Sequence, residues 1–156
     1  NILLVGAGDF GATVARNLRH YFPVMDLAIT NRTKEKAEKV ATQVKGEVIA
    51  FENFKDQLPR FDVVITTVGL EHYLLQPAHV SADQLLLDLS VPQAIDPAVK
   101  EKGARLFSVD EVSAFHNELL QQRKMEIPRA QKIIEYYIGQ LMEWQQLYSH
   151  RDIVMS

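Results

Sequence analysis

The sequence predicts an α/β protein: a doubly wound parallel sheet with a long C-terminal helical extension. Three observations carry this reading. Short apolar, β-branched runs alternate with amphipathic helical segments over residues 2–107, which is the pattern of βαβ units. A glycine-rich turn joins the first run to the first helix. After Phe107 the strand pattern stops and a single helical periodicity takes over.

Taken in order, Ile2 to Val5 is an apolar run closed by glycine, as a strand buried on both faces requires. Phe10 to Tyr21 carries Val14, Ala15 and Leu18 at helical spacing. Asp26 to Thr30 is a second strand. Lys34 to Val44 is a helix with Ala37, Val40, Ala41 and Val44 on one face. Glu47 to Phe51 is expected to be a third strand, and Phe54 to Leu58 a helical turn ended by Pro59. Phe61 to Val68 is the strongest β-branched run and the expected central strand. Leu85 to Leu89 and Arg105 to Phe107 complete the sheet. Right-handed crossovers make the doubly wound order the default.

Ser108 and Glu111 stand at capping-box spacing and mark a helix start. From there to about Ser149 the only glycine is Gly139. Pro128 is expected to kink or restart this helix. Ile127, Ala130, Ile133, Ile134, Tyr137, Leu141 and Trp144 follow helical spacing, so part of the helix is expected to pack against another chain or a further domain. The domain boundaries are placed at residues 1–108 for the sheet and 109–156 for the helical extension.

Composition narrows the function classes. The chain has 156 residues and no cysteine, which excludes disulfides, thiolate metal sites and a cysteine nucleophile. A net charge of −3 gives no general attraction to nucleic acid or membrane. No apolar run reaches the ~18 residues of a membrane span, and a cytoplasmic protein is expected. Asn1 is followed at once by a strand, with no initiator Met, so a piece of a longer protein is expected. His20, His72, His79, His116 and His150 are scattered without metal-ligand spacing. No metal site and no catalytic residue is assigned. Asp88, inside an apolar strand before Ser90, reads as a buried, hydrogen-bonded structural carboxylate in preference to a general base.

Gly6-Ala7-Gly8-Asp9-Phe10-Gly11 matches G-x-G-x-x-G between a strand and a helix. Gly6 permits the tight turn, Gly8 lets the backbone approach a pyrophosphate, and Gly11 allows close helix–strand packing. The N–H groups at the helix start, at Asp9 and Phe10, then meet the phosphates with help from the helix dipole. A glycine turn without a ligand is the bland alternative. The motif in this context makes the sheet Rossmann-type.

The second strand ends in Asn31-Arg32-Thr33, where NAD-binding domains usually carry an acid about 20 residues after the glycines. An acid would repel a 2′-phosphate, whereas Arg32 pairs with one. Asn31 and Thr33 can donate to the same group, and Lys34 or Lys36 adds charge, with Lys36 assigned to the site. NADPH is therefore the expected cofactor. Asn31 or Thr33 capping the next helix is the structural alternative, and it is compatible with phosphate contact. Ligands in such sheets lie beyond the carboxyl ends of the strands. Thr67, Val68 and Gly69 after the central strand, and Ser90 and Val91 after the next, are expected to flank the nicotinamide.

Four segments resemble the NADPH-binding domain of the glutamyl-tRNA reductase family: ILLVGAGDFG (Ile2 to Gly11), ITNRTKEKAEKVA (Ile29 to Ala41), FDVVITTVG (Phe61 to Gly69) and LLLDLSVPQAIDPAV (Leu85 to Val99). Asn117, Arg123, Ala130, Ile133, Ile134 and Trp144 resemble the family's helix leading into its dimerisation domain. The resemblance implies NADPH-dependent reduction of glutamyl-tRNA to glutamate-1-semialdehyde in tetrapyrrole biosynthesis. It also implies an upstream cysteine domain that binds the tRNA, and a homodimer through the C-terminal helices. This chain alone would hold NADPH and catalyse nothing. By the motif match, Gly6, Gly8 and Gly11 would hold the pyrophosphate, Asn31, Arg32 and Thr33 the 2′-phosphate, with Thr67, Gly69 and Val91 near the nicotinamide. Gln93 and Ala94 depart from the Arg-Asp usual after the Val-Pro of this loop. Two other readings remain open: a shikimate-dehydrogenase-like NADP enzyme, which shares the Asn-Arg-Thr selector, and a non-catalytic nucleotide-sensing regulatory module, whose second strand usually ends in an acid.

Overall fold

A computed structural model describes the backbone of residues 1–151 and side chains over residues 1–115 and 127–145. Six strands form one sheet: β1 (Ile2–Val5), β2 (Leu27–Thr30), β3 (Glu47–Val48), β4 (Val63–Thr66), β5 (Leu85–Asp88) and β6 (Arg105–Ser108). Their order is β3-β2-β1-β4-β5-β6, and every pairing is parallel. Val5 is in register with Thr30 on one side and Thr66 on the other. The chain direction across the sheet reverses between β1 and β4. A crevice therefore opens at the carboxyl ends of those two strands.

Strand alternation sends successive apolar residues to opposite faces. Leu3, Val5, Val64 and Leu86 join Phe54, Leu58, Leu75 and Ile95 in one core. Leu4, Ile29 and Ile65 join Ala15, Ala37, Val40 and Val44 in the other. Burying each such side chain contributes about 1.5–3 kcal/mol, so both faces favour this register. Two full helices, α1 (Asp9–Tyr21) and α2 (Lys34–Val44), pack on the second core. The first core is closed mainly by short pieces: the single turn α3 (Phe54–Gln57) and 3-10 turns at Leu58–Arg60, Pro77–His79 and Pro97–Lys102. Each 3-10 turn carries a proline in its first positions, where the missing N–H has no intrahelical acceptor to lose.

The third strand is shorter than Glu47 to Phe51. Ile49 still donates to the Ile29 carbonyl at 2.9 Å, but pairing stops and Phe51 begins a turn. The last helix, α4 (Val109–Arg151), runs through Pro128 without a break. A proline removes one backbone donor, and the hydrogen-bonded turns on either side carry the helix past it. Its start is the expected capping box. Ser108 N donates to Glu111 Oε2 at 2.7 Å and Glu111 N to Ser108 Oγ at 3.3 Å. The bonds from the Ser108 backbone and side chain, in that order, hold the Glu111 carboxyl below its ordinary pKa.

The chain divides into two compact units, Asn1–Val112 and Ser113–Ser156. In the second, Ile133, Ile134, Tyr137 and Leu141 are each more than half exposed, as are Tyr136 and Met142. These positions wrap beyond a single stripe of the helix. The side chains of His116, Asn117, Arg123 and His150 lie outside the described residues.

Arg19, in the last turn of α1, closes the far end of the helical layer. Its guanidinium donates to the carbonyls of Val44 (2.7 Å), Pro23 (2.8 Å), Met25 (3.0 Å) and Lys45 (3.4 Å). Val44 and Lys45 end α2, where carbonyls lack intrahelical partners and the dipole is negative. Arg19→Ala is expected to lower the unfolding free energy by about 2 kcal/mol in urea denaturation. Arg19→Lys is expected to recover less than half, because one ammonium cannot span four carbonyls. A loss within about 0.5 kcal/mol, as for an ordinary surface change, would contradict the clamp.

Candidate cofactor site

The crevice begins at the glycine turn. Gly6 sits at φ +113°, a conformation open to glycine, and its N–H donates to Thr30 O at 2.9 Å. A Cβ on Gly11 would lie 2.2 Å from Gly6 O and 2.7 Å from Thr67 Oγ1. The first turn of α1 therefore rests directly on the ends of β1 and β4. The Thr67 hydroxyl fastens this contact, shared between Gly6 O (3.2 Å) and Val5 O (3.4 Å). Gly8 behaves differently. It is the N-cap of α1 with no side-chain cap, and a Cβ there would meet nothing within 4 Å. The helix start thus offers backbone donors to an open cradle.

Asn31 braces the turn from the side. Its Oδ1 accepts from Ala7 N at 3.0 Å, and its Nδ2 donates to Thr33 O at 2.9 Å. Asn31 is accordingly a bracket between the turn and the end of β2, with one amide hydrogen left for a ligand. Thr33 is the N-cap of α2, yet its side chain makes no cap bond, so capping does not occupy its hydroxyl.

Gly6, Gly8, Asn31, Arg32, Thr33, Lys36, Thr67, Val68 and Gly69 line one cleft of ≈ 340 Å³. Its lining contains Arg32 and Lys36 but no carboxylate. Lys34 instead pairs with Glu38 at 3.4 Å. An adjoining hollow of ≈ 330 Å³ takes in Gly8, Asp9, Arg16, Lys36 and Lys39. Gly11 lies buried beneath the turn, and Phe10 is 55% exposed at the helix start. Neither lines the cleft, nor do Ser90 and Val91. Phe51, Leu70, His72 and Leu74 do line it, and sequence reasoning missed them. They look like ordinary loop or core residues. Their one signal is position, after the carboxyl ends of β3 and β4. A larger hollow of ≈ 660 Å³ lies at the opposite ends of the strands, beside Asn1, Asp26 and Arg60. It has no glycine turn, and ligands of such sheets bind at the carboxyl ends, so the smaller cleft is the functional candidate.

At the far end, Asp88 is 1% exposed. It is the structural carboxylate read from the sequence. Oδ1 accepts from Thr66 Oγ1 (2.8 Å) and Ser90 N (3.1 Å), and Oδ2 from Ala94 N and Ile95 N (both 2.8 Å). Ser90 is buried, and its Oγ accepts from Val68 N at 3.1 Å. Val91 is 77% exposed, its carbonyl 4.0 Å from where a Gly69 Cβ would stand. Outside the cleft lining, burial and then the charge of Lys55 lower the His79 pKa. The imidazole Nδ1 meanwhile accepts from Gln76 N at 3.0 Å. No group of three or more metal-ligating side chains occurs among the described residues.

The two glycines separate fold from site. Gly11→Ala is expected to cost about 1–3 kcal/mol or more, since its neighbour is backbone. Gly8→Ala, at φ −72° in open space, is expected to lower the unfolding free energy by less, about 0.5–1 kcal/mol, from the poorer N-cap alone. Equal destabilisation by the two substitutions would contradict this geometry.

Comparison with known proteins gives three kinds of match. A family model described as shikimate / quinate 5-dehydrogenase matches residues 1–115. The glutamyl-tRNA reductase of Geobacter sulfurreducens is 32% identical over 152 residues, 92% of this chain and 35% of that protein. The glutamyl-tRNA reductase of a Sulfurihydrogenibium species is 30% identical over 164 residues, 100% of this chain and 37% of that protein. The structure of glutamyl-tRNA reductase from Methanopyrus kandleri superposes with a TM-score of 0.78 at 28% identity, covering 91% of this chain and 38% of that one. The chain thus spans about a third of the length of the curated relatives it matches. The family model stops at the opening turns of α4, whereas these relatives extend along it. With residues 1–115 matched, the chain belongs to the shikimate / quinate 5-dehydrogenase family.

Proposed function

We propose that this chain is the NADPH-binding domain of a glutamyl-tRNA reductase. The observation that carries the cofactor is the cleft that joins the open cradle at Gly8 to Arg32 and Lys36 without a carboxylate. The diphosphate would lie at Gly8, facing the amides of Asp9 and Phe10. The adenosine would extend toward β2, with its 2′-phosphate against Arg32, Lys36 and Thr33. Thr67, Val68, Gly69, Ser90 and Val91 would border the other half. NADPH bound there supplies a hydride to the substrate. The chain's own residues bind and orient it.

The relatives support the substrate reading, because glutamyl-tRNA reductases match the sheet and α4 together. The family model alone would also suit a shikimate-dehydrogenase-like enzyme, but its match ends where α4 begins to run. In the proposed whole protein, a further domain would supply the cysteine and bind glutamyl-tRNA. Residues 1–108 would serve as the cofactor domain and 109–156 as a dimerising extension. The apolar positions of α4, from Ile133 to Leu141, suit burial against a second copy. No helix among the described residues is long and apolar enough to cross a membrane, and a cytoplasmic location fits this reading.

Titration of the chain with NADPH and NADH tests it. The chain is expected to prefer NADPH, and Arg32→Ala is expected to cost NADPH about 1–3 kcal/mol with little change for NADH, as loss of a charge-assisted contact implies. Equal losses for both cofactors would remove Arg32 as selector. Preference for NADH by the parent chain would favour the nucleotide-sensing alternative.

A further inference from the structure

The loop after β4 supplies Thr67, Val68, Gly69, Leu70, His72 and Leu74 to the cleft, and the loop of residues 89–95 after β5 lies behind it. One buried group ties them together. Asp88 receives donors from β4 (Thr66 Oγ1) and from three amides of its own loop (Ser90, Ala94 and Ile95). The peptide it holds continues the connection. Ala94 O accepts from Leu74 N at 2.7 Å and Leu75 N at 3.1 Å, and Asp96 N donates to Leu75 O at 2.9 Å. Leu74 lines the cleft. Ser90, whose amide Asp88 holds, accepts from Val68 N, and Val68 also lines it. A carboxylate outside the cleft therefore reaches its wall by two routes, one through Ala94 to Leu74 and one through Ser90 to Val68.

We propose that Asp88 is a positioning residue for the nicotinamide half of the cofactor, setting the cleft wall at Val68 and Leu74 through the Ser90 and Ala94 peptides. The inference rests on the NADPH reading and on the direction it gives the ligand. With the diphosphate at Gly8 and the adenosine toward β2, the nicotinamide falls toward the ends of β4 and β5. Core packing alone does not need a carboxylate at this place. Four donors converging on two oxygens do need one, because only a carboxylate accepts at both. An Asn of the same size would turn an N–H toward one pair of donors, leaving them unsatisfied in a buried site.

The test uses the chain with two ligands that differ only in the nicotinamide: NADPH and 2′-phospho-ADP-ribose. For the parent chain NADPH is expected to bind more tightly, with altered dihydronicotinamide fluorescence. Asp88→Asn is expected to weaken NADPH about tenfold, as loss of buried hydrogen bonds implies. It should leave 2′-phospho-ADP-ribose within about twofold and return the fluorescence toward that of NADPH in water. Ser90→Ala, which removes only the acceptor for Val68 N, is expected to shift the same split in the same direction by less. It decides the matter if Asp88→Asn does not fold. Equal weakening of both ligands, or no weakening of either, in folded variants would overturn the positioning role while leaving the cofactor reading intact. Failure of the parent chain to bind either ligand would overturn both.

Discussion

The site depends on a contact that leaves no room for a side chain. Gly11 meets the Gly6 carbonyl and the Thr67 hydroxyl more closely than any Cβ permits, so the start of α1 is set directly on the ends of β1 and β4. That contact decides where the α1 amides point. Asn31 then fixes the turn against β2 through Ala7, and the same residue carries the chain into Arg32. The open helix start at Gly8 and the loop that carries Arg32 are thus parts of one hydrogen-bonded unit. Their spacing follows from the parallel register of β1 with β2.

Most of this unit was legible in the residues. The glycine spacing, the strand before it and the helix after it each demand the others, and the absence of an acid at Asn31-Arg32-Thr33 is visible without coordinates. Asp88 was legible as well, because a charge in the run Leu85-Leu86-Leu87 can persist only with partners. What could not be read is of a different kind. Ile49 has the pattern of strand residues, but pairing ends where the chain must turn toward Phe54. Pro128 removes one hydrogen bond from a helix that retains many. Phe51, Leu70, His72 and Leu74 come to the cleft only because loops after β3 and β4 fold over it, and no local pattern encodes that return.

The loop after β5 is held largely through its backbone. Gln93 and Ala94 stand where the glutamyl-tRNA reductase pattern has Arg-Asp. Yet the bonds of this loop to Asp88 and to Leu74 and Leu75 run through backbone N–H and C=O groups. Ala94 is fully buried, where a small apolar side chain costs nothing in polar desolvation. The exposed side chains of this loop, Val91, Pro92 and Gln93, can vary while its peptide path is held by one carboxylate. At the other end of the cleft Arg32 and Lys36 are exposed, and a single substitution there changes charge without disturbing the core.

In the proposed complex a dinucleotide's phosphates meet the amides at the opening of α1. Amide chemical-shift mapping of the chain on addition of NADPH tests this most directly. The largest shifts should fall on Gly8, Asp9, Phe10 and Gly11, accompanied by the Arg32 side chain. Shifts at Met25, Lys45 and Arg60, around the hollow at the opposite ends of the strands, with the turn amides unmoved, would place the ligand elsewhere.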